Sequence, residues 1–366
     1  MKKILFVVPL PPPIHGASLI NNYLNKSKNL KKNFKTYFFN SSQTKNLSEI
    51  EIFKFIKLFK FLFSILILTK KIIQIKPDII YFNPSPRGIG MYRDLIYIFL
   101  FKIFSSKIVF HLHGKGFDRN VKSSKILKYI LKFLFKNVDL ICLSKLLIHD
   151  TNLIRDKKKK IYVLNNFAEQ NKSKKKKKNK ITFIYLSNLI PSKGILTFLN
   201  AIKYLNNSNY KNFNSIVIGR KVDEVFYENV TKIINNFKNI TYLGSIYGNK
   251  KNDEIKKSHV LVFPSKYLNE TYPVVLLEAM SAGIPVICYK NGAIPEIIDH
   301  NKTGFLVKKY NFLEFAKYMK VYLKNKQLIK NHGLNAKNKW QKNYTFQLYE
   351  SKLINILNNI STKYKA

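Results

Sequence analysis

Two glutamates, Glu270 and Glu278, stand in the run FPSKYLNETYPVVLLEAMSAGIPVI, residues 263–287, with seven residues between them. An apolar stretch, Val260 to Phe263, leads in, and a helical pattern starts after Pro273. Gly283 and Pro285 close that helix ahead of a second apolar run, which makes a strand–loop–helix–strand unit of a parallel α/β sheet. Glu270 then lies in the loop at the strand's C-terminal end, where open α/β sheets bind ligands, and Glu278 lies on the helix. Free backbone N–H groups at the helix start suit an anion such as a diphosphate. A carboxylate beside that anion would be repelled, so Glu270 fits sugar hydroxyls better than phosphate. Glu278 sits in the apolar segment VVLLEAM, where a glutamate needs a partner, and a ribose diol would provide one. The plain alternative is that both are helix-surface glutamates.

The segment resembles the signature of retaining glycosyltransferases of the GT-B fold, the group 1 type that includes bacterial surface-polysaccharide transferases. The resemblance implies that Glu270 contacts the donor sugar and Glu278 the ribose of a sugar nucleotide. It continues into NGAIPEIIDHNKTGFLV, residues 291–307, which is similar to the family's next loop, helix and hairpin. Gly292 to Pro295 there resemble part of the donor-site wall. A lysine–glycine pair, Lys193 and Gly194, matches the family's, and Lys193 is implied to neutralise the leaving diphosphate. The family's preceding glycine–arginine pair falls on Ser187 and Asn188, an uncharged departure for which Arg220 is a candidate compensating cation. Thr271, Tyr272 and Pro273 also depart from the small residue and glycine that many members carry. Gly16, in PPPIHGAS just past the first strand, permits close approach of backbone to phosphate and resembles the family's N-terminal glycine loop. His113, ending KIVFHLHG, resembles the histidine that contacts the donor sugar, and His111 reads as a supporting or core residue. His15, Asn83, Arg87 and Arg93 are weaker acceptor-side candidates. No metal cluster or dinucleotide glycine triplet appears, so the expectation is no metal and no nicotinamide cofactor.

The charge of the chain bears on its partners. Against 20 Asp plus Glu stand 65 Lys plus Arg, a formal net charge of +45 in 366 residues. Anionic partners follow: a nucleotide sugar, which the resemblance implies is UDP-linked, and an anionic membrane surface. Nucleic acid is disfavoured because the lysines are spread throughout and the aromatics lie in apolar runs. Cys142 and Cys288, each in an apolar run, read as reduced core residues of a cytoplasmic protein. MKKILFVVPLPPP ends its apolar run at prolines and reads as a first core strand, not a signal peptide. No uncharged stretch approaches the roughly 20 residues needed to span a bilayer. Three lysine-studded apolar helices, 50–71, 92–107 and 123–137, suit peripheral binding on the inner face of the cytoplasmic membrane.

Strand patterns at 3–8, 77–83, 107–114, 138–144 and 161–166 predict one doubly wound domain. Those at 181–187, 215–219, 240–244, 259–264 and 285–289 predict a second. The expected organisation is a Rossmann-like acceptor-side domain over 1–170, a lysine-rich linker at 171–180, and a nucleotide-sugar-binding domain over 181–340. A C-terminal helix in 341–366 would cross back, with Trp340 and Tyr344 packing it, and a cleft would separate the domains. The activity implied is transfer of a hexose or N-acetylhexosamine from a nucleotide diphosphate sugar to a lipid-linked or oligosaccharide acceptor. A nucleotide-sugar epimerase of the same fold and a non-catalytic carbohydrate-binding protein are the rivals.

Overall fold

The computed structural model describes residues 1–42, 55–104, 107–308 and 310–362. The chain divides into two compact units, Met1–Asn166 with Gln347–Ala366, and Phe167–Phe346. In the first, β1 (Lys3–Val8), β2 (Lys35–Asn40), β3 (Ile79–Phe82), β4 (Ile108–Leu112), β5 (Val138–Cys142) and β6 (Ile161–Val163) form one sheet. Its order is β2-β1-β3-β4-β5-β6, and every pair is parallel. The second unit repeats the plan with β7 (Ile181–Leu186), β8 (Phe213–Ile218), β9 (Ile240–Tyr242), β10 (Val260–Phe263), β11 (Val286–Tyr289) and β12 (Gly304–Val307). There the order is β12-β11-β10-β7-β8-β9, again all parallel.

Parallel sheets need cover on both faces, and the strands read accordingly as unbroken apolar runs. Ile4 to Val8, Ile79 to Phe82 and Val260 to Phe263 are buried without alternation. Chain order reverses between β1 and β3 in the first sheet and between β7 and β10 in the second. At such reversals the loops beyond the strand C-termini splay apart and leave a crevice. Asn188 and Lys193 follow β7 and Glu270 follows β10, so the second reversal gathers the motif residues.

Several expectations are corrected. Residues 171–180 are no free linker: they lie in the second unit, along the helix Gly248–Lys257. Ser173 Oγ donates to Asp253 Oδ1 at 2.6 Å, Lys178 N to the Lys257 carbonyl at 3.1 Å, and Lys177 Nζ to the Ser258 carbonyl. Burial, and then Lys256, pushes the Lys177 ammonium down to about 7. The last strand of the 291–307 run is not half of a hairpin. After the short helix Ile294–Ile297 the chain turns and Gly304–Val307 pairs parallel to β11. Strand β2 was not foreseen in the sequence.

The helix Phe346–Thr362 is held to the first unit, where Glu350 accepts from Ser27 Oγ and from Asn29 Nδ2 at 3.1 Å. Lys107 Nζ donates to the Ser361 carbonyl at 2.9 Å. Trp340 and Tyr344 pack inside the second unit, with Trp340 Nε1 donating to the Ala168 carbonyl at 3.1 Å. Cys142 and Cys288 are buried free thiols, both pushed up by burial. No helix among the described residues is long and apolar enough to cross a membrane. Residues 50–54 and 105–106 of the apolar helical runs lie outside the described residues.

Candidate active site

In the second unit Lys193 and Glu270 form an ion pair, Nζ to Oε2 at 2.7 Å, with both side chains largely buried. Seventy-seven residues of sequence separate them, and the β7–β10 pairing brings them together. Ser265 Oγ donates to the same Glu270 oxygen at 2.5 Å. The Tyr267 ring lies under the Lys193 ammonium at 4.5 Å, a cation–π contact. Two glycines hold this arrangement. Gly194 takes a left-handed φ of +80°, and a Cβ there would stand 2.0 Å from the Pro264 carbonyl oxygen. Gly292 has φ +55°, and its Cβ would stand 2.3 Å from the carbonyl oxygen of Glu270 itself. Asn291 ties the same loop by donating Nδ2 to the Tyr267 carbonyl at 3.0 Å. Gly292 therefore braces Glu270 from behind.

The helix Val274–Ser281 begins straight after Pro273, which caps with no side-chain hydrogen bond. Its first N–H groups are thus left to backbone or ligand partners. Glu278 on that helix is paired with Lys251, Nζ to Oε1 at 2.6 Å, a partner that its apolar sequence context did not suggest. Ser265, Tyr267, Asn291 and Lys251 are the supporting residues that sequence reasoning missed. None stands at diagnostic spacing, and each acts only through the folded loops.

Asn188 and Arg220 are neighbours. Leu189 N donates to the Arg220 carbonyl at 2.9 Å, and a Cβ on Gly219 would stand 1.9 Å from the Ser187 carbonyl oxygen. The Tyr185 hydroxyl, 3.3 Å from the carbonyls of both Asn188 and Lys193, ties these loops from below. Arg220 Nε is buried and has no hydrogen-bond partner among the described residues. A buried guanidinium donor in that state has capacity for an incoming anion.

In the first unit His111 lies in β4 and His113 directly follows the strand, with ring centroids 4.1 Å apart. His111 Nδ1 shares a short hydrogen bond with the Tyr81 hydroxyl. Burial, with His113 second, holds the His111 imidazole well below its usual range. Burial, with His15 second, pushes His113 down to about 3. Both rings are therefore neutral at physiological pH. Gly114 positions the turn after His113, since a Cβ there would meet Pro86 Cγ at 2.6 Å.

Other candidates are occupied. Asn83 accepts from Asn21 Nδ2 at 2.8 Å and donates to the His111 carbonyl at 3.1 Å, so it braces the strand ends. Arg93 is held by the buried Asp94, Nη2 to Oδ1 at 2.6 Å, and by the Ser41 carbonyl, which corrects its reading as an acceptor-side cation. Arg87 is exposed. Gly16 opens the helix Gly16–Lys26 without a left-handed φ. His15 caps that helix, its Nδ1 accepting from Ser18 N at 3.3 Å. The start of the helix Phe117–Ser123 is filled by the chain's own Asp150, whose carboxylate accepts from Gly116, Phe117 and Asp118 N.

Residues 166–339 match the family model described as glycosyl transferases group 1. A protein from the cps region of Klebsiella pneumoniae is 28% identical over 70% of this chain and 71% of its own length. A glycosyltransferase of Methanocaldococcus jannaschii is 28% identical over 62% of this chain and 61% of its own. Among solved structures, a glycosyltransferase from Rickettsia africae superposes with TM-score 0.77 at 18% identity, covering 99% of both chains. Anabaena HepE in complex with UDP and glucose superposes with TM-score 0.72 at 16% identity, covering 98% of this chain and all of that one. At such identities the structural likeness is one of fold. Two six-stranded parallel sheets of this kind give the chain the GT-B fold, and over residues 166–339 it is similar to the group 1 glycosyl transferases, findings that support a glycosyltransferase.

Proposed function

We propose that the protein transfers a hexosyl or N-acetylhexosaminyl unit, with retention of anomeric configuration, from a nucleotide diphosphate sugar to an acceptor hydroxyl. The acceptor is a lipid-linked saccharide or an oligosaccharide of a bacterial surface glycan, and the reaction is cytoplasmic. The observation that carries this reading is the buried Lys193–Glu270 pair between the ends of β7 and β10. A buried ion pair whose members also face a ligand crevice is arranged to separate two duties. Lys193 meets the charge that develops on the departing diphosphate, and Glu270 binds sugar hydroxyls. The N-terminus of the helix that starts at Val274 adds to the first duty through its dipole. Arg220, with its unpartnered Nε beside Asn188, supplies the cation that the residue at 188 lacks. Glu278 binds the ribose diol, with Lys251 holding its carboxylate in place.

In the first unit a neutral His113 offers the donor sugar a hydrogen bond without adding a charge, and the backbone about Gly16 approaches the diphosphate. The nucleotide is UDP in this reading, supported by the UDP complexes of the Anabaena neighbour. The relative from a cps region supports a capsule-type product. No metal or redox cofactor has a role in this reading.

The test incubates purified protein and a membrane-lipid extract with a panel of nucleotide sugars. It follows nucleotide diphosphate release and mass gain on lipid. Release coupled to a lipid gaining one sugar is the expected result, lost in Glu270→Ala and Lys193→Ala. Donor binding with neither release nor mass gain would favour a binding-only protein. No donor binding across the panel would overturn the reading.

A further inference from the structure

Three neighbouring helices of the first unit, Phe55–Ile75, Gly88–Phe104 and Lys125–Phe135, cover one face of its sheet. Each is apolar on two faces. The inward faces are accounted for: Leu68 and Ile72, Tyr97 and Phe101, Leu131 and Leu134 enter the core. The outward faces carry a second stripe at helical spacing. On the first helix it includes Phe59, Leu62, Phe63 and Leu66, all exposed. On the second it runs Tyr92, Ile96, Phe99, Ile103 and on the third Ile126, Tyr129, Ile130, Phe133. Phe63 is 65% exposed, Phe99 55% and Phe133 60%. Between the second and third helices these residues line a groove of about 520 Å³, walled by Ile96 and Phe99 on one side and Tyr129 and Phe133 on the other.

An outward apolar surface on three adjacent helices exceeds the scattered residues of an ordinary soluble surface. Its charges tell what covers it. Exposed Lys60, Lys125 and Lys132 border the stripes. The sole acidic residue in the three helices, Asp94, is buried against Arg93. A second copy of a chain with net charge +45 would bring the same lysines against them. An anionic bilayer satisfies both features: ammonium groups meet lipid phosphates and the aromatic and aliphatic stripes enter the acyl boundary.

We propose that this three-helix face docks the enzyme in the surface of an anionic lipid bilayer, with a hydrocarbon chain seated in the Phe99–Phe133 groove. The proposal does not rest on the donor or acceptor assigned above, because membrane binding is read without turnover. The full chain would be floated with vesicles of phosphatidylcholine alone and of phosphatidylcholine with phosphatidylglycerol. The triple variant Phe63→Ser, Phe99→Ser, Phe133→Ser changes only exposed side chains, and its melting temperature and nucleotide-sugar binding provide the folding control. The expected result is flotation with the anionic vesicles, weakened by salt, and a loss of about tenfold or more in the triple variant. Lys125→Glu with Lys132→Glu should lose binding without losing fold. Equal flotation of wild type and triple variant would overturn the proposal. So would binding that ignores phosphatidylglycerol, or a stable solution dimer that the triple variant dissolves.

Discussion

The two units share one plan, six parallel strands with a single order reversal, yet their helices face different surroundings. In the second unit, helices such as Ile195–Asn207 and Phe312–Lys324 bury one apolar face, and exposed apolar residues are scattered. In the first, Phe55–Ile75, Gly88–Phe104 and Lys125–Phe135 carry apolar residues inward and outward. The polar chemistry divides the other way. Around Glu270 and Glu278 the second unit joins opposite charges, whereas the first keeps His111 and His113 neutral by burial. A parallel sheet of this type requires only that its own faces be covered. What lies on the far side of the covering helices is free to differ, and here it separates a unit with scattered exposed apolar residues from an apolar-faced one.

The largest effects should come from breaking the inward faces while sparing the outward ones. Phe101 is fully buried in the first-unit core, and Phe101→Ala should cost about 3–5 kcal/mol in denaturant unfolding. Phe99, two positions earlier and exposed, should change stability by no more than about 0.5 kcal/mol when replaced by Ala. Comparable losses from both would mean that the outward stripe is packed in the free protein.

Next in size is the charge pair of the second unit. Glu270→Ala strands the buried Lys193 ammonium and removes the carboxylate proposed to bind the sugar, so kcat/KM should fall about 10²–10³-fold. Glu270→Gln keeps the shape and one acceptor oxygen and should recover part of that loss. Steady-state rates with one nucleotide sugar decide it. Equal activity of Glu270→Ala and wild type would remove Glu270 from the site. Arg220→Ala should act in the same assay through weaker donor binding, about 10-fold in KM, since a single charge-assisted contact is at stake.

Glycine positions sharpen the comparison at a smaller scale. Gly194→Ala adds a Cβ 2.0 Å from a backbone carbonyl on top of a left-handed φ, and a cost of about 2–3 kcal/mol is expected. Gly88, with φ +65° and nothing within 4 Å of its Cβ, should cost about 1 kcal/mol when made Ala, from backbone conformation alone. Thermal unfolding of both variants measures the difference, which is the part due to close packing around the Lys193 loop.

Much of this was legible in the sequence, and the rest fails for physical reasons. Ten of the strands announced themselves, the eight central ones because both faces of a parallel sheet are buried, giving apolar runs such as ILFVV and VLVF. Strand β2, KTYFFN, sits at a sheet edge with much of its length only half-buried, so its pattern is mixed. β12 is an edge strand too, and its Gly304 start resembled a turn. Glu270 and Glu278 stood out by type and spacing and Lys193 by the family resemblance, and the fold pairs Lys193 with Glu270. Their partners Ser265, Tyr267 and Lys251 were not, because a hydrogen bond across loops leaves no period in the chain. Arg93 misled for the converse reason: Arg–Asp neighbours in sequence gave no sign that Asp94 would be buried and hold the guanidinium.

The last expected effect concerns pH, and its sign follows from the histidines. His111 and His113 in the first unit are held below the ordinary histidine value by burial, His113 to about 3. Above pH ~6.5 the rings are neutral whether the chain is folded or not, and they contribute no pH dependence. As pH falls below ~6.5 the unfolded chain takes up protons that the folded unit refuses, so stability falls. For His113 the loss continues until the folded value of about 3 is passed, at up to about 1.4 kcal/mol per pH unit for each ring. In the second unit His259, lowered to about 4 by burial and then by Lys177 and Lys326, titrates over a shorter window. Acidification from pH 7 to about 3.5 should therefore take more stability from the first unit than from the second, as read by hydrogen exchange of β4 against β7. His113→Gln should flatten the acid dependence of β4 and leave that of β7 unchanged. Simultaneous loss of protection in both sheets, unaltered by the substitution, would show that acid instability comes from net charge and not from these buried rings.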